Sequence, residues 1–304
     1  MPSVVIAQGV AKSYGKTEAL RNVSFHLPED TVAGLLGPNG SGKTTTIKIL
    51  LGLLRKDKGE VEVFGCDPWL EEAEVRRRVG AVHEKPLYPL DERVSRLLRH
   101  TVRMKGAPQN EVGRLLHLTG LSEYADMKVR ALSRGYLQRL GIAIALVGDP
   151  ELLLLDEPTA NLDPSARKDI LRLIKTLQEE LGATIMVSSH IVPELQEVCD
   201  YAVFIQEGIV LDYGSMDELA RKYSVSAHYF ITAKNVRLLA SELVKEEFVE
   251  SVELGDGYLT LRVKGGAYTA AEVTIAKLAE KGLVENYELR TASLGELYSK
   301  VIAQ

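Results

Sequence analysis

One short segment constrains this chain more than any other. Gly37-Pro38-Asn39-Gly40-Ser41-Gly42-Lys43-Thr44 fits the pattern GxxxxGK[ST]. It follows the apolar run Thr31–Leu36 and opens the run TTTIKILLGLL, which reads as a helix. A glycine loop between a strand and a helix wraps an anion with backbone N–H groups, and the helix N-terminus adds partial positive charge. In such a loop Lys43 reaches the β- and γ-phosphates of a nucleotide, and the Thr44 hydroxyl meets Mg²⁺. A plain turn would account for the glycines but not for the lysine and threonine in register.

Two further segments carry chemistry. Leu152–Leu155 is a buried strand that runs into Asp156 and Glu157. A carboxylate at a strand end beside the loop suits Mg²⁺ bound through water, which is the reading of Asp156. Glu157 is placed to polarise an attacking water as a general base. Leu132-Ser133-Arg134-Gly135-Tyr136 precedes a helix over Leu137–Val147, so a serine hydroxyl, a glycine N–H and a helix start form a second anion site. One nucleotide does not obviously use both.

Residues 1–35 read as strands, with VVIAQGV and NVSFHL alternating at period two. Asp67-Pro68 reads as a cap opening a helix that stops near Gly80, and 91–148 reads as helical throughout. Asp163-Pro164 caps a helix that Gly182 closes, and Thr184–Ser188 is another apolar strand. Near 214 the texture changes. Ser215–Glu218 is a capping box. Beyond 224 the order is strand, helix, strand, strand, helix, strand, helix. Gly255-Asp256-Gly257 turns a hairpin there, and Ser293–Glu296 is a second capping box. This order suggests a ferredoxin-like domain.

The composition is that of an ordinary globular chain. Of 304 residues, 45% are apolar and 26% charged. Two cysteines, Cys66 and Cys199, without CxxC spacing, disfavour a disulfide scaffold or a zinc site and point to a reduced, cytoplasmic compartment. The net charge of −5 provides no basic face, so no nucleic-acid partner is expected. No apolar stretch approaches the ~20 residues that cross a bilayer, so for work at a membrane another chain supplies the spans.

Together these residues resemble the ATP-binding subunit of an ABC transporter, over about residues 3–222. Gly37–Thr44, with Thr45, resembles the family's Walker A, Leu152–Glu157 its Walker B and Leu132–Tyr136 its LSGGQ signature. Asn161-Leu162-Asp163 resembles the D-loop, and His190 the H-loop histidine that contacts the γ-phosphate. Tyr14 stands where the family has an adenine-stacking aromatic. The resemblance implies an α/β cassette over 1–223, with a mixed sheet core, an antiparallel β subdomain and a helical subdomain at about 85–150. A small α+β ferredoxin-like domain at 224–304 resembles the extension on exporter-type subunits. It implies ATP and Mg²⁺ as ligands, ATP hydrolysis, a membrane permease as partner, and a place on the inner face of the membrane. It also implies a homodimer or heterodimer of ATPase subunits, head to tail, in which Ser133 and Gly135 of one copy complete the other copy's site. Asp163 would join that site.

Two departures stand out. Arg134 and Tyr136 replace a glycine and a glutamine of the signature. The family's Q-loop glutamine, a Mg²⁺ ligand, aligns with Glu84, with His83 as the competing assignment. Arg93, Arg96, Arg99 and Arg103 share one helix face, and Val94, Leu97, Leu98 and Val102 the other, in the region where the family meets its permease. Two other functions compete: an ABC ATPase working on ribosomes or DNA, and a regulatory module with negligible turnover. A single cassette without a coiled-coil run or a basic patch disfavours the first, and Glu157 disfavours the second.

Overall fold

The computed structural model describes residues 2–290 and 294–303. They form two compact units, Met1–Tyr213 and Gly214–Gln304.

The first unit is built on a nine-stranded sheet. Its antiparallel edge comprises β1 (Ser3–Tyr14), β2 (Thr17–Pro28) and β4 (Lys58–Val63). Its parallel part comprises β3 (Val32–Leu36), β5 (Val79–Val82), β6 (Leu152–Asp156), β7 (Thr184–Ser189) and β8 (Tyr201–Gln206), with β9 (Ile209–Ser215) beside β2. The spatial order is β4-β1-β2-β9-β8-β3-β7-β6-β5. β3, β6 and β7 are buried along their whole length. That explains their unbroken apolar runs, since strands covered on both faces need no polar side. On the antiparallel edge apolar residues alternate inward, as in Leu20, Val23, Phe25 and Leu27 of β2.

Helices α1 (Lys43–Leu50), α2 (Glu72–Arg78) and α6 (Pro164–Leu181) connect these strands, and α6 ends on Gly182 in the left-handed conformation. Three more, α3 (Val94–Met104), α4 (Glu111–Leu118) and α5 (Arg134–Ala145), make up the helical part. In α3 the residues Val94, Leu98 and Val102 are buried, while Arg93, Arg96, Arg99 and Arg103 are exposed.

Two expectations about helices need correction. Residues 91–148 are not helical throughout. Gly106 takes a left-handed φ of 71° and Pro108 follows, which ends α3, and Gly120 at φ 69° ends the run through α4. Short 3₁₀ turns then fill the chain up to the Ser133 cap. Nor does Asp67-Pro68 open a long helix. The Asp67 carboxylate accepts from the N–H groups of Trp69 and Leu70, closing a single turn, and the helix starts only at Glu72. It ends at Arg78, near Gly80 as expected, and Gly80 itself lies inside β5. Gly80 serves close packing: a Cβ there would stand 2.2 Å from the Ala145 carbonyl oxygen of α5.

The second unit contains α7 (Met216–Lys222), β10 (Ala227–Thr232), α8 (Val236–Leu243), β11 (Val249–Leu254), β12 (Tyr258–Val263), α9 (Tyr268–Glu280), β13 (Asn286–Arg290) and α10 (Leu294–Ile302). Its four strands pair antiparallel in the order β11-β12-β10-β13. The Ser215–Glu218 capping box is present at the start of α7. The capping box expected at Ser293 lies outside the described residues. α7 belongs to this unit because Arg221 pairs with Glu272 of α9 at 2.8 Å, and Tyr229 of β10 reaches the same carboxylate.

Gly80→Ala should destabilise the first unit by about 2 kcal/mol, because the Ala145 backbone and the Leu153 side chain must give way. The melting temperature should then fall by about 4–8 °C. Gly113→Ala, in α4 with nothing within 4 Å of the added carbon, is the control and should be neutral or slightly stabilising in the same thermal melt.

Candidate active site

β3 stops at Leu36 and α1 begins at Lys43, so Gly37–Gly42 cross from sheet to helix in one loop. Gly42 caps α1 at φ 109°, and a Cβ there would lie 2.5 Å from Leu20 Cδ2 and 2.9 Å from the Ala19 oxygen. Only glycine fits both the conformation and the space. Asn39, Gly40 and Gly42 of the loop and the start of α1 line an open cavity of about 650 Å³.

The Lys43 side chain is 6% exposed. Its Nζ donates to the carbonyl oxygens of Gly37 at 2.8 Å and Pro38 at 3.1 Å, and stands 3.3 Å from Glu157 Oε1. Glu157 Oε2 lies 2.8 Å from His190 Nδ1. A carboxylate beside a lysine accepts rather than donates, so Nδ1 carries the proton of this bond. Glu157 is thereby gripped from both sides, by Lys43 of α1 and by His190 just beyond β7. It leaves β6 in the left-handed region at φ 50°. Its predecessor Asp156, 1% exposed, accepts from the Ser188 hydroxyl at 2.7 Å.

Asn39, Gly40, Gly42, Lys43, Thr44 and Thr45 line the cavity from the loop side. Glu84, Glu157 and His190 line it from the other strands. Of the two Q-loop assignments, Glu84 is at the cavity, and His83 is exposed outside it. Glu84 also lies 3.5 Å from Lys85 Nζ. The chain beyond it is anchored by Tyr88, whose phenol burial pushes up to about 12. Gly37 and Ser41 are buried behind the loop, where the Ser41 carbonyl accepts from Gly208 N–H. Tyr14 is not brought to the cavity. It sits half exposed at the β1–β2 turn, and Thr17, Glu18 and Ala19 of β2 form that rim instead. Asn161 and Arg167 line the cavity too. No motif singles out Arg167, which pairs with Glu194 after the histidine loop and lies 3.4 Å from the Leu162 carbonyl.

Ser133, Gly135 and Asp163 lie in a second, separate cleft of about 220 Å³. Ser133 caps α5, its hydroxyl accepting from Tyr136 N–H at 3.5 Å. Asp163 caps α6, one oxygen accepting from Ser165 and Ala166 N–H, both at 3.0 Å. The Tyr136 ring packs on Tyr124 with centroids 4.0 Å apart, and Arg134 donates to the Asn161 carbonyl at 3.3 Å. The two clefts share no lining residue.

The donor set beside the loop suits Mg²⁺. Thr44 and Asp156 offer hard oxygen atoms, and no group of three or more His, Cys, Asp or Glu forms a metal cage among the described residues. Mg²⁺ is typically held by one or two protein oxygens plus phosphate and water, and a set this small fits it.

Comparison with known proteins agrees with this geometry. The family profile described as ABC transporter matches residues 20–160. The bacitracin transport ATP-binding protein BcrA of Bacillus licheniformis is 33% identical over 80% of this chain and 79% of its own length. The uncharacterized ABC transporter ATP-binding protein YxlF of Bacillus subtilis (strain 168) is 30% identical over 97% of this chain and 98% of its own. Among solved structures, cbiO1 of Clostridium perfringens, part of the ABC transporter complex cbiONQ, superposes with a TM-score of 0.66 at 27% identity. It covers 73% of this chain and 92% of its own.

The ion pair between Lys43 and Glu157 generates a paired prediction. Lys43→Ala should lower ATP affinity by at least about tenfold, as the triphosphate loses its main counter-charge. Glu157→Gln should raise it by about three- to tenfold, because it frees Lys43 and removes a like charge. Calorimetry on both variants checks this, and unchanged affinity in both would place the nucleotide elsewhere.

Proposed function

The chain belongs to the ABC transporter family, and from that premise we propose that it is the ATP-hydrolysing subunit driving a separate membrane permease. The observation that carries this reading is the Glu157 carboxylate, held between Lys43 and His190 on the wall of a glycine-loop cavity. ATP lays its phosphates along Gly37–Thr45, and Lys43 turns from Glu157 to the β- and γ-phosphates. Glu157, thus released, takes the proton of the attacking water, while His190 keeps its carboxylate oriented and meets the γ-phosphate. Thr44 and Asp156, with Glu84, would hold Mg²⁺. When bound, Mg²⁺ neutralises charge on the phosphate oxygens.

The partner is proposed on the second cleft. Ser133 and Gly135 lie apart from the loop of their own chain, so a second copy, or a related subunit, is needed to bring them to the γ-phosphate. Asp163 lies in the same cleft and would sit at the junction of the two copies. Among the described residues no helix is long and apolar enough to cross a membrane. By its likeness to ATP-binding subunits of transporters, we place the protein at the cytoplasmic face of the cell membrane, seated on a permease. The likeness to BcrA, a bacitracin transport ATP-binding protein, supports the coupling to transport. We read the first compact unit, Met1–Tyr213, as the cassette and the second, Gly214–Gln304, as an accessory domain of ferredoxin-like type, so that α7 goes with the accessory domain and not with a cassette running to 223. The antiparallel order β11-β12-β10-β13 supports the second part.

Glu157→Gln should slow hydrolysis by about 10²–10⁴ while ATP binding persists. Closure would then outlast turnover, and light scattering with ATP should show a dimer. A variant that hydrolyses at the normal rate removes Glu157 as the base. The composite site has its own test. Ser133→Arg and Lys43→Ala should each be inactive alone, but a mixture should recover activity, since a mixed dimer keeps one intact site. A mixture as inactive as its components counts against a two-chain site.

A further inference from the structure

Ser188 is fully buried at the end of β7, directly opposite Asp156 in the parallel register of β6 and β7. Its hydroxyl makes two bonds of opposite sense. It accepts from the Glu157 backbone N–H at 2.8 Å and donates to Asp156 Oδ1 at 2.7 Å. Each bond answers a specific problem. Glu157 leaves the strand at φ 50°, a region disfavoured for a side chain of this size, and its N–H is left without a ladder partner. Asp156 is a carboxylate with almost no exposure, and a buried oxygen without a donor is costly. A hydroxyl has one proton. Because the Glu157 N–H fills a lone pair, that proton is free for Asp156, and the two bonds support each other.

We propose that Ser188 is a positioning residue for ATP hydrolysis, whose hydroxyl holds the Glu157 backbone in its left-handed turn so that the carboxylate meets the water. The adjacent Ser189 acts on the histidine side instead. Its hydroxyl accepts from Ile191 N–H at 3.0 Å and shapes the turn that carries His190. The two hydrogen bonds of the Ser188 hydroxyl both go to the end of β6, to Asp156 and Glu157, and neither goes to the phosphate loop. Its removal therefore loosens the base while leaving the loop's own grip on phosphate in place. The inference rests on Glu157 as the base, as proposed above.

The test compares Ser188→Ala, Ser188→Thr and the double variant with Glu157→Gln, all in the full chain. Ser188→Ala should lower kcat by about 10- to 100-fold, the effect of leaving two buried polar groups unpaired. Its ATP affinity by calorimetry in EDTA, where the proposed metal role of Asp156 does not enter, should stay within about threefold of the parent. Ser188→Thr keeps the hydroxyl and should recover kcat to within about threefold. In the Glu157→Gln background the added alanine should change the residual rate by less than about threefold, because two residues acting through one group are not additive. Should the alanine variant not fold, Ser188→Cys replaces it, with a thiol that donates and accepts only weakly. Normal kcat in the alanine variant, a threonine variant as slow as alanine, an equal loss of affinity, or a full multiplicative loss in the double variant would each overturn the role of Ser188. A Glu157→Gln variant with normal turnover would instead overturn the base assignment.

Discussion

The site depends on one constraint, the parallel register of four strands. Leu36 pairs with Ser189, Asp156 with Ser188, and Val82 with Leu155. Four chain segments therefore leave the sheet at one edge. β3 delivers the glycine loop, β6 the two carboxylates, β7 the histidine and β5 Glu84. In an open parallel sheet, crossovers return on the faces and the C-terminal edge stays free for ligands. The chemistry is placed by strand pairing, which explains how residues separated by more than a hundred positions come within hydrogen-bond distance.

The same register creates an electrostatic arrangement that suits an anionic ligand. Lys43 satisfies its charge on two loop carbonyls and on Glu157. The lysine is nearly buried, and a buried charge without partners is costly, so this pairing is expected chemistry. It also means that the base is engaged until phosphate competes for the lysine.

Much of this is legible in the sequence, for identifiable physical reasons. The loop, the Asp156–Glu157 strand end and the Asp163-Pro164 cap are local patterns, set by neighbours in the chain. The Gly255–Gly257 hairpin turn is local too, and β11 and β12 flank it as expected. What the sequence leaves open is set at a distance. Nothing local tells that Gly80 packs against Ala145, or that Gly106 and Gly120 break the helical part where they do. In the sequence Ser188 is mere context for His190, because its importance comes from pairing opposite Asp156. Tyr14 is assigned from a family position, yet the cavity rim there is Thr17–Ala19.

The two signature departures show how substitution at a ligand cleft can be accommodated. Arg134 stands where glycine is usual, and a long cation at the start of α5 would crowd an anion if it pointed into the cleft. It is turned aside, bonding to the Asn161 carbonyl, and is absent from the cleft lining. Tyr136 packs its ring on Tyr124 and lines the cleft. Ser133 and Gly135 thus keep their access beside the start of α5. Arg134 adds a connection that glycine could not make, because it fastens the signature helix to Asn161, a residue lining the loop cavity. The two clefts share no lining residue, but within each chain they are joined by this bond.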